Sequence, residues 1–120
     1  MKNILAVDDS PSMREMVSLA LKAAGFDVTS AGDGEEALSA ARSRSFDLVL
    51  SDVNMPRMDG ISLIRALRAE AAYRHTPILM LTTESSAERK REGKAAGATG
   101  WIVKPFDPAT LVATMQRVLR

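Results

Sequence analysis

The chain has 120 residues, of which 46% are hydrophobic and 26% charged, a length and composition typical of one globular domain with a buried core. Sixteen basic and fifteen acidic residues give a formal net charge of +1. Nucleic-acid-binding proteins usually carry a clear basic excess, so we expect no nucleic-acid partner. The absence of cysteine excludes a disulfide framework and thiolate metal sites, and it fits a reducing compartment.

Neither a secretory signal nor a membrane span is recognisable in the sequence. The first residues reach Asp8 too early for a signal, and no apolar run approaches the roughly 20 residues that cross a bilayer. We therefore expect a cytoplasmic protein without membrane insertion.

Because no linker or repeat interrupts the pattern, residues 1–120 are predicted to form a single domain. Since the chain ends in its last helix, we expect no attached DNA-binding output domain.

Short apolar runs typical of strands alternate along the chain with stretches of helical spacing. The runs are Ile4–Val7, Val28–Ala31, Leu48–Leu50, Ile78–Leu81 and Trp101–Val103. Clear apolar stripes of helical period lie in 13–21, 63–67 and 111–119. This alternation predicts a strand followed by a helix five times over, and hence a parallel sheet with helices on both faces.

Residues that begin and end helices fall at the expected places. Three pairs predict helix starts, namely Ser10-Pro11, Asp33 with Glu36 in capping-box spacing, and Asp107-Pro108, whereas Gly25 and Gly97 predict helix ends. The run Val28–Ala31 mixes apolar and polar residues, which favours an edge strand. The other runs are more uniformly apolar, as expected of interior strands.

The stretch Ser86–Ala96 predicts the weakest helix. It has little apolar surface, and Gly93 costs roughly 1 kcal/mol relative to alanine in a helix interior. We expect it to be poorly anchored and easy to reorganise. Its basic residues admit two interpretations, a solvated face or a docking surface for an acidic partner segment; they are Arg89, Lys90, Arg91 and Lys94.

Chemically reactive residues collect where four of the predicted strands end. The pairs are Asp8-Asp9, Ser51-Asp52, Thr82-Thr83 and Lys104-Pro105. In open α/β sheets ligands bind at the carboxyl ends of the strands, so these residues are expected to share one rim. Each pair alone would mean little, since an Asp-Asp after a strand is usually a solvated turn or a helix cap. Their conjunction in so short a chain indicates a site.

Three clustered carboxylates repel one another unless a proton or a cation relieves the repulsion. Oxygen ligands without histidine or cysteine favour a hard cation, namely Mg²⁺, Mn²⁺ or Ca²⁺. An aspartate carboxylate can act as a nucleophile and form an acyl phosphate, while a metal ion and a lysine neutralise charge on the phosphoryl oxygens. The rim therefore predicts phosphoryl chemistry.

With these residues in place, the whole chain resembles the receiver domains of response regulators, and among them the chemotaxis regulators. The segments that carry the resemblance, in the family's order, are Val7–Ser10, Asp52–Pro56, Asp59-Gly60, Leu81-Thr82, Gly97–Trp101 and Lys104–Phe106. The resemblance implies a doubly wound (βα)5 flavodoxin-like fold whose five parallel strands lie in the order 2-1-3-4-5.

The resemblance also implies a role for each residue of the rim. Asp52 corresponds to the phosphoacceptor. The Mg²⁺ ligands would be Asp9, Asp52 and the main-chain carbonyl of Asn54, with Asp8 holding the ion through water and Mn²⁺ as a possible substitute. Lys104 would contact the phosphoryl group, aimed by a cis bond to Pro105.

The resemblance further implies that several other residues of this chain form a conformational switch. Thr82 corresponds to the hydroxyl that is drawn toward the phosphoryl group. Asn54 and Glu84 correspond to the positions that tune the rate of dephosphorylation. Trp101 stands where the family usually has a rotating Tyr or Phe. The resemblance implies that Trp101 acts as a larger switch residue than usual, and a half-buried aromatic that closes an edge of the sheet is the alternative interpretation.

The implied function is that of a single-domain response regulator rather than an enzyme. A histidine kinase similar to CheA would phosphorylate it, and the face formed by the fourth helix, fifth strand and fifth helix would change shape. The expected partner is a flagellar switch protein or another phosphorylation-dependent target, bound by a monomer. A phosphorelay intermediate, a phosphate sink and an adaptor that modulates a partner remain alternatives.

A phosphatase of the haloacid dehalogenase type is the remote alternative. Those enzymes also use a strand-end aspartate, a threonine, a lysine and Mg²⁺. They need a second aspartate two residues after the nucleophile, and this chain has Asn54 there. An amide cannot carry the proton that this role requires, and the chain is short for that fold.

Overall fold

The computed structural model describes residues 2–53, 55, 57–82, 87–104 and 106–119. Its strands are β1 (Asn3–Val7), β2 (Asp27–Ala31), β3 (Leu48–Asp52), β4 (Ile78–Thr82) and β5 (Gly100–Val103). Its helices are α1 (Pro11–Ala23), α2 (Gly34–Ser43), α3 (Gly60–Arg68), α4 (Ala87–Ala96) and α5 (Pro108–Val118), with a 3₁₀ turn at Ala71–Tyr73. Strand and helix alternate as predicted.

All four strand pairings are parallel, and the strand order is β2-β1-β3-β4-β5. This is the predicted doubly wound order, in which the first connection runs outward to β2 and the later ones run the other way. The order reverses between β1 and β3, so the polar residues that follow these two strands lie at the switch point of the sheet.

Helices cover both faces of the sheet. One core cluster packs α1 and α5 against the sheet and includes Leu21, Leu50 and Leu111. The other packs α2, α3 and α4 against the opposite face and includes Leu38, Ile64 and Met80. The central strands β3 and β4 are buried along their whole length, which fixes their register.

The predicted helix boundaries are confirmed. The side chains of Ser10, Asp33 and Asp107 each accept a hydrogen bond from the backbone three residues on, as N-caps do. The second half of the predicted capping box differs: Glu36 accepts from the N–H of Gly32 rather than from that of Asp33. Gly25 and Gly97 have φ of 96° and 113°, left-handed values that glycine tolerates best.

One interpretation from the sequence was wrong. The uniformly apolar run Trp101–Val103 forms β5, which lies at the second edge of the sheet rather than in its interior. Only Ile102 is buried there, whereas Trp101 and Val103 are 38% and 42% exposed. Two large apolar side chains are therefore left at the surface of this edge, beside α4.

Helix α4 has the little apolar surface that its sequence predicts, since its buried residues are Gly93 and Ala96. Gly93 nevertheless makes a specific contact. A Cβ added there would lie 2.2 Å from Cε of Met80 on β4. The glycine thus lets the helix approach the sheet closely, a contact that the sequence did not indicate. No described helix is long and apolar enough to cross a bilayer.

Arg68, at the end of α3, joins three segments through backbone carbonyls. Its guanidinium donates to the carbonyl oxygens of Tyr73 and Thr76, at 2.7 and 2.6 Å, and to that of Gly97 after α4, at 2.9 and 3.0 Å. Partial burial lowers the pKa of this guanidinium, and the carbonyls compensate for the lost water.

Replacing Arg68 with methionine is expected to lower the free energy of unfolding by about 2 kcal/mol, because several carbonyls lose their donor at once. Urea denaturation of Arg68→Met measures the loss. Arg65→Met is the matched control, since Arg65 is exposed on the same helix. Equal midpoints for the two variants would show that the Arg68 contacts contribute no stability.

Candidate functional site

The predicted rim exists, and it lies where β1, β3, β4 and β5 end. Asp8 and Asp9 follow β1, Asp52 is the last residue of β3, Thr82 is the last of β4, and Lys104 follows β5. Because all these strands are parallel, their carboxyl ends meet at one edge of the sheet. The structure therefore brings together the charged residues that the sequence pattern predicted to share this rim.

The three carboxylates of the rim form a compact acidic cluster. Asp8, Asp9 and Asp52 can each offer an oxygen such that all these atoms lie within 4.8 Å of one another. Asp8 and Asp52 are buried, at 3% and 9% exposure, whereas Asp9 is exposed. The cluster thus opens to solvent on the Asp9 side.

The turn from β1 into α1 fixes the carboxylate of Asp8. The N–H of Ser10 donates to Asp8 Oδ1 at 2.9 Å, while the Ser10 hydroxyl caps α1. The Asp8 N–H donates to the carbonyl of Ala31, and the guanidinium of Arg14 donates to the Asp8 carbonyl at 2.7 Å. The role of Arg14 was missed from the sequence, because nothing in the spacing marks a side chain that returns to the strand end.

Asp52 is held against the first turn of α3. Its Oδ1 accepts from the N–H of Val53 at 2.8 Å, and the N–H of Gly60 donates to the Val53 carbonyl at the same distance. Burial raises the pKa of Asp52; the charge of Asp8 adds to this rise and the charge of Lys104 opposes it. Its ionised form is therefore costly unless a cation is near.

Lys104 supplies such a cation. Its Nζ donates to Asp8 Oδ2 at 3.0 Å and lies 3.4 Å from Asp52 Oδ2, and its side chain is 13% exposed. Burial alone would lower the pKa of Lys104, but the hydrogen bond to Asp8 and the charges of Asp52 and Asp8 outweigh it and raise that pKa. The ammonium therefore stays charged between the two buried carboxylates.

Thr82 and Trp101 lie on the same face of the sheet. In the register of β4 and β5, Thr82 stands beside Val103 and Met80 stands beside Trp101. Residues two apart on a strand share a face, so all four side chains are on the side covered by α4. Thr82 is buried at the rim, whereas Trp101 lies one residue pair further down and is 38% exposed.

A contact between the segment after β3 and the start of α2 was also missed. Arg57, with φ of 64°, forms an ion pair with Asp33, the N-cap of α2. The N–H of Gly34 donates to the carbonyl of Met58 at 3.1 Å, and a Cβ at Gly34 would lie 2.4 Å from that oxygen. These contacts fix Arg57 and Met58, close in sequence to Asp52. A glycine directly after a helix cap was the available signal.

Asn54, Glu84 and Pro105 lie outside the described residues. The Asn54 carbonyl ligand, the dephosphorylation-tuning roles of Asn54 and Glu84, and the cis bond to Pro105 therefore stay predictions.

The donor atoms of the cluster fit a hard divalent cation. Three carboxylates converge, two are buried, and no histidine or cysteine among the described residues joins them. Such all-oxygen sets suit Mg²⁺ and Mn²⁺. A cation there would offset negative charge that Lys104 leaves unbalanced, because the described ion pairs of these three carboxylates involve one ammonium.

The family model "Response regulator receiver domain" matches residues 4–116. Among curated relatives, chemotaxis protein CheY-3 of Vibrio cholerae is 42% identical over 116 residues, 96% of this chain and 89% of that protein. The DNA-binding response regulator MtrA of Mycolicibacterium smegmatis is 42% identical over 119 residues, 99% of this chain, and this chain spans 51% of that protein's length.

Comparison of the fold also finds a chemotaxis protein. The solved structure of chemotaxis protein CheY4 of Vibrio cholerae superposes with a TM-score of 0.96 at 58% identity, covering 99% of both chains. The strand order, the acidic cluster with its lysine and the match of the family model agree. This chain is a receiver domain and belongs to the response-regulator family of two-component systems.

Proposed function

We propose that this receiver domain is a switch that a histidine kinase phosphorylates on Asp52 in a Mg²⁺-dependent reaction in the cytoplasm. The observation that carries the proposal is the carboxylate of Asp52, buried at a strand end with Lys104 Nζ 3.4 Å away and two further carboxylates beside it. Receiver domains are signalling switches rather than classical enzymes, so the chain acts on its own phosphorylation only.

The transfer step uses a carboxylate oxygen of Asp52 as the nucleophile. This oxygen forms a bond to the phosphorus of the kinase phosphohistidine while the phosphorus–nitrogen bond breaks, and the imidazole leaves with its electron pair. Lys104 is placed to neutralise charge on the phosphoryl oxygens. The product is an acyl phosphate on Asp52.

Receiver domains bind Mg²⁺ at an acidic pocket, and here Asp9 and Asp52 would hold the ion directly, with the Asn54 carbonyl as a further ligand and Asp8 acting through water. When bound, the ion supplies positive charge that offsets the phosphoryl oxygens. Asp8 keeps its hydrogen bonds from Ser10 and Lys104, which suits a residue that orients water rather than one that leaves its position.

Phosphorylation adds about −1.5 to −2 charges beside Thr82. We propose that the Thr82 hydroxyl moves toward the phosphoryl group and vacates space on the α4-covered face, into which Trp101 turns. The shared sheet face of Thr82 and Trp101 supports this coupling. The output surface is then the face of α4, β5 and α5, where Trp101 and Val103 are already exposed.

The test of the chemistry is incubation with acetyl phosphate and Mg²⁺, followed by intact mass spectrometry. We expect one phosphoryl group on the wild type and none on Asp52→Asn. Asp27→Asn is the matched control, because Asp27 begins β2 at the opposite end of the sheet. Phosphorylation of Asp52→Asn at the wild-type level would overturn the proposal.

Within two-component signalling we propose a role in chemotaxis, supported by the likeness to CheY-3 and CheY4. The test is capture of partners from a lysate of the source cell on immobilised protein, with and without beryllofluoride and Mg²⁺. A flagellar switch component retained only after activation supports a motor messenger. Retention of kinases or phosphotransfer proteins alone, regardless of activation, assigns the chain to a phosphorelay or a phosphate sink.

A further inference from the structure

The side chain of Lys90 on α4 makes a contact that the proposed phosphorylation chemistry does not use. Its ammonium lies over the indole ring of Trp101, 5.1 Å from the ring centroid. This is within the distance at which a cation is attracted to the negative face of an aromatic ring, and tryptophan is the best such ring. The neighbouring Arg89 instead lies 3.1 Å from Glu92 on its own helix.

The fold places Lys90 over this ring through the close approach of α4 to the sheet. Lys90 and Gly93 are three residues apart and hence share one face of the helix. Gly93 lies against Met80, and Met80 is the register partner of Trp101. Lys90 lies one turn before Gly93, and its side chain therefore reaches over β5, where the indole of Trp101 lies.

The outward position of Trp101 has little other support from the described residues. Trp101 is 38% exposed and forms one wall of a groove of about 360 Å³, whose other lining residues are Lys94, Ala98, Thr99 and Gly100. The open groove beside Trp101 leaves its side chain room to move, so packing restrains it only in part. The cation above its face is the specific contact that favours this position.

We propose that Lys90 is a positioning residue that holds the indole of Trp101 outward by a cation–π contact, and thereby sets the fraction of molecules in which the ring turns inward before phosphorylation. The consequence for signalling rests on the proposed function, in which the inward position is the active one. The contact itself does not depend on phosphorylation.

The experiment follows the indole N–H signal in proton–nitrogen correlation spectra, which is unambiguous because the chain has a single tryptophan. The wild type with and without beryllofluoride and Mg²⁺ supplies the two reference positions. Lys90→Met keeps the length of the side chain and removes its charge. Lys90→Arg restores a cation, and Arg91→Met removes a charge from the exposed neighbouring position of the same helix.

In Lys90→Met without activator we expect the indole signal to move toward the activated position, corresponding to an inward fraction raised about two- to five-fold. Lys90→Arg should stay near the wild type, and Arg91→Met should coincide with it. A Lys90→Met signal that coincides with those of the wild type and Arg91→Met overturns the proposal.

A second measurement tests the contact directly. Ring currents of the indole should shift the Lys90 ε-methylene protons upfield in the wild type, and Trp101→Leu should abolish the shift. Absence of this shift in the wild type overturns the contact. If beryllofluoride leaves the wild-type indole signal in place while the ε-methylene shift is present, the proposed phosphorylation switch fails and the Lys90–Trp101 contact is upheld.

Discussion

Replacing Lys104 with methionine is expected to lower the free energy of unfolding by about 2 to 3 kcal/mol at neutral pH in the presence of EDTA. The ammonium is mostly buried and lies within 3.0 Å of Asp8 and 3.4 Å of Asp52. Without it, the described side chains form no ion pair with the two buried carboxylates, which face each other and the adjacent Asp9. Urea denaturation measures the loss.

The deficit of Lys104→Met should depend on pH. Burial and the charge of Asp8 raise the pKa of Asp52 in the folded state, so the folded chain binds this proton more tightly than the unfolded chain does. The free energy of unfolding therefore falls as pH rises from the ordinary aspartate pKa to the raised pKa of Asp52 in the folded state. In the wild type the Lys104 charge limits this loss, because it lowers the Asp52 pKa. In Lys104→Met the loss should extend over a wider range.

Lys104 itself changes charge only at high pH. Its pKa is raised in the folded state, so the stability it contributes is fully present below the ordinary lysine pKa and is lost as pH rises through the folded value. Between about pH 4 and pH 8, the difference between wild type and Lys104→Met therefore reflects the carboxylates alone. We expect a small difference near the acidic end and the full difference at neutral pH.

Two comparisons separate this effect from a general loss of charge. Lys22→Met removes a lysine from the exposed end of α1 and should change the midpoint little at any pH. Mg²⁺ should recover part of the Lys104→Met deficit, because it brings positive charge to the same carboxylates. A deficit that is equal at acidic and neutral pH, or no larger than that of Lys22→Met, would contradict this account of the site.

The fold was predictable because its determinants are local in the sequence. Each strand is a short apolar run, and side-chain caps such as Ser10 and Asp107 mark the helix starts. The parallel arrangement then follows from the alternation, and the shared rim follows from the arrangement. Asp8, Asp52 and Lys104 could be placed together for this reason, although they are distant in the sequence.

What the sequence did not predict depends on distances between elements. Gly93 counted only as a weakness of α4, whereas the structure places it against Met80. Trp101–Val103 has the composition of an interior strand, and only the strand order places it at an edge. The contact of Lys90 with Trp101 depends on the close approach at Gly93 and on the edge position of β5, so no local sequence pattern predicts it. The composition of a segment indicates which contacts its residues can make, whereas the packing of the elements determines which contacts they do make.

Gly60 is the clearest case in which a short distance between two elements determines the residue. Gly60→Ala is expected to lower the free energy of unfolding by about 3 kcal/mol or more. A Cβ at Gly60 would lie 2.2 Å from the carbonyl oxygen of Asp52 and 3.0 Å from Cα of Val53. Both are backbone atoms, so no side chain can turn aside. Urea denaturation followed by circular dichroism measures the loss.

Gly32→Ala is the matched control for this variant. Its added Cβ would meet Arg14 Nη1 at 3.3 Å, the far end of a flexible side chain. We expect a change below about 1 kcal/mol for it, because the guanidinium can shift by a few tenths of an ångström. Equal midpoints for Gly60→Ala and Gly32→Ala would show that α3 can begin further from β3 at no cost.

The same substitution connects the fold to the chemistry of the site. To accept a methyl group, the first turn of α3 must move away from β3, which strains the hydrogen bond from Gly60 N–H to the Val53 carbonyl. Val53 in turn donates to the carboxylate of Asp52 at 2.8 Å. We therefore expect Gly60→Ala, where it folds, to accept phosphate from acetyl phosphate more slowly than the wild type. A destabilised Gly60→Ala that is phosphorylated at the wild-type rate would show that α3 can shift without displacing the carboxylate of Asp52.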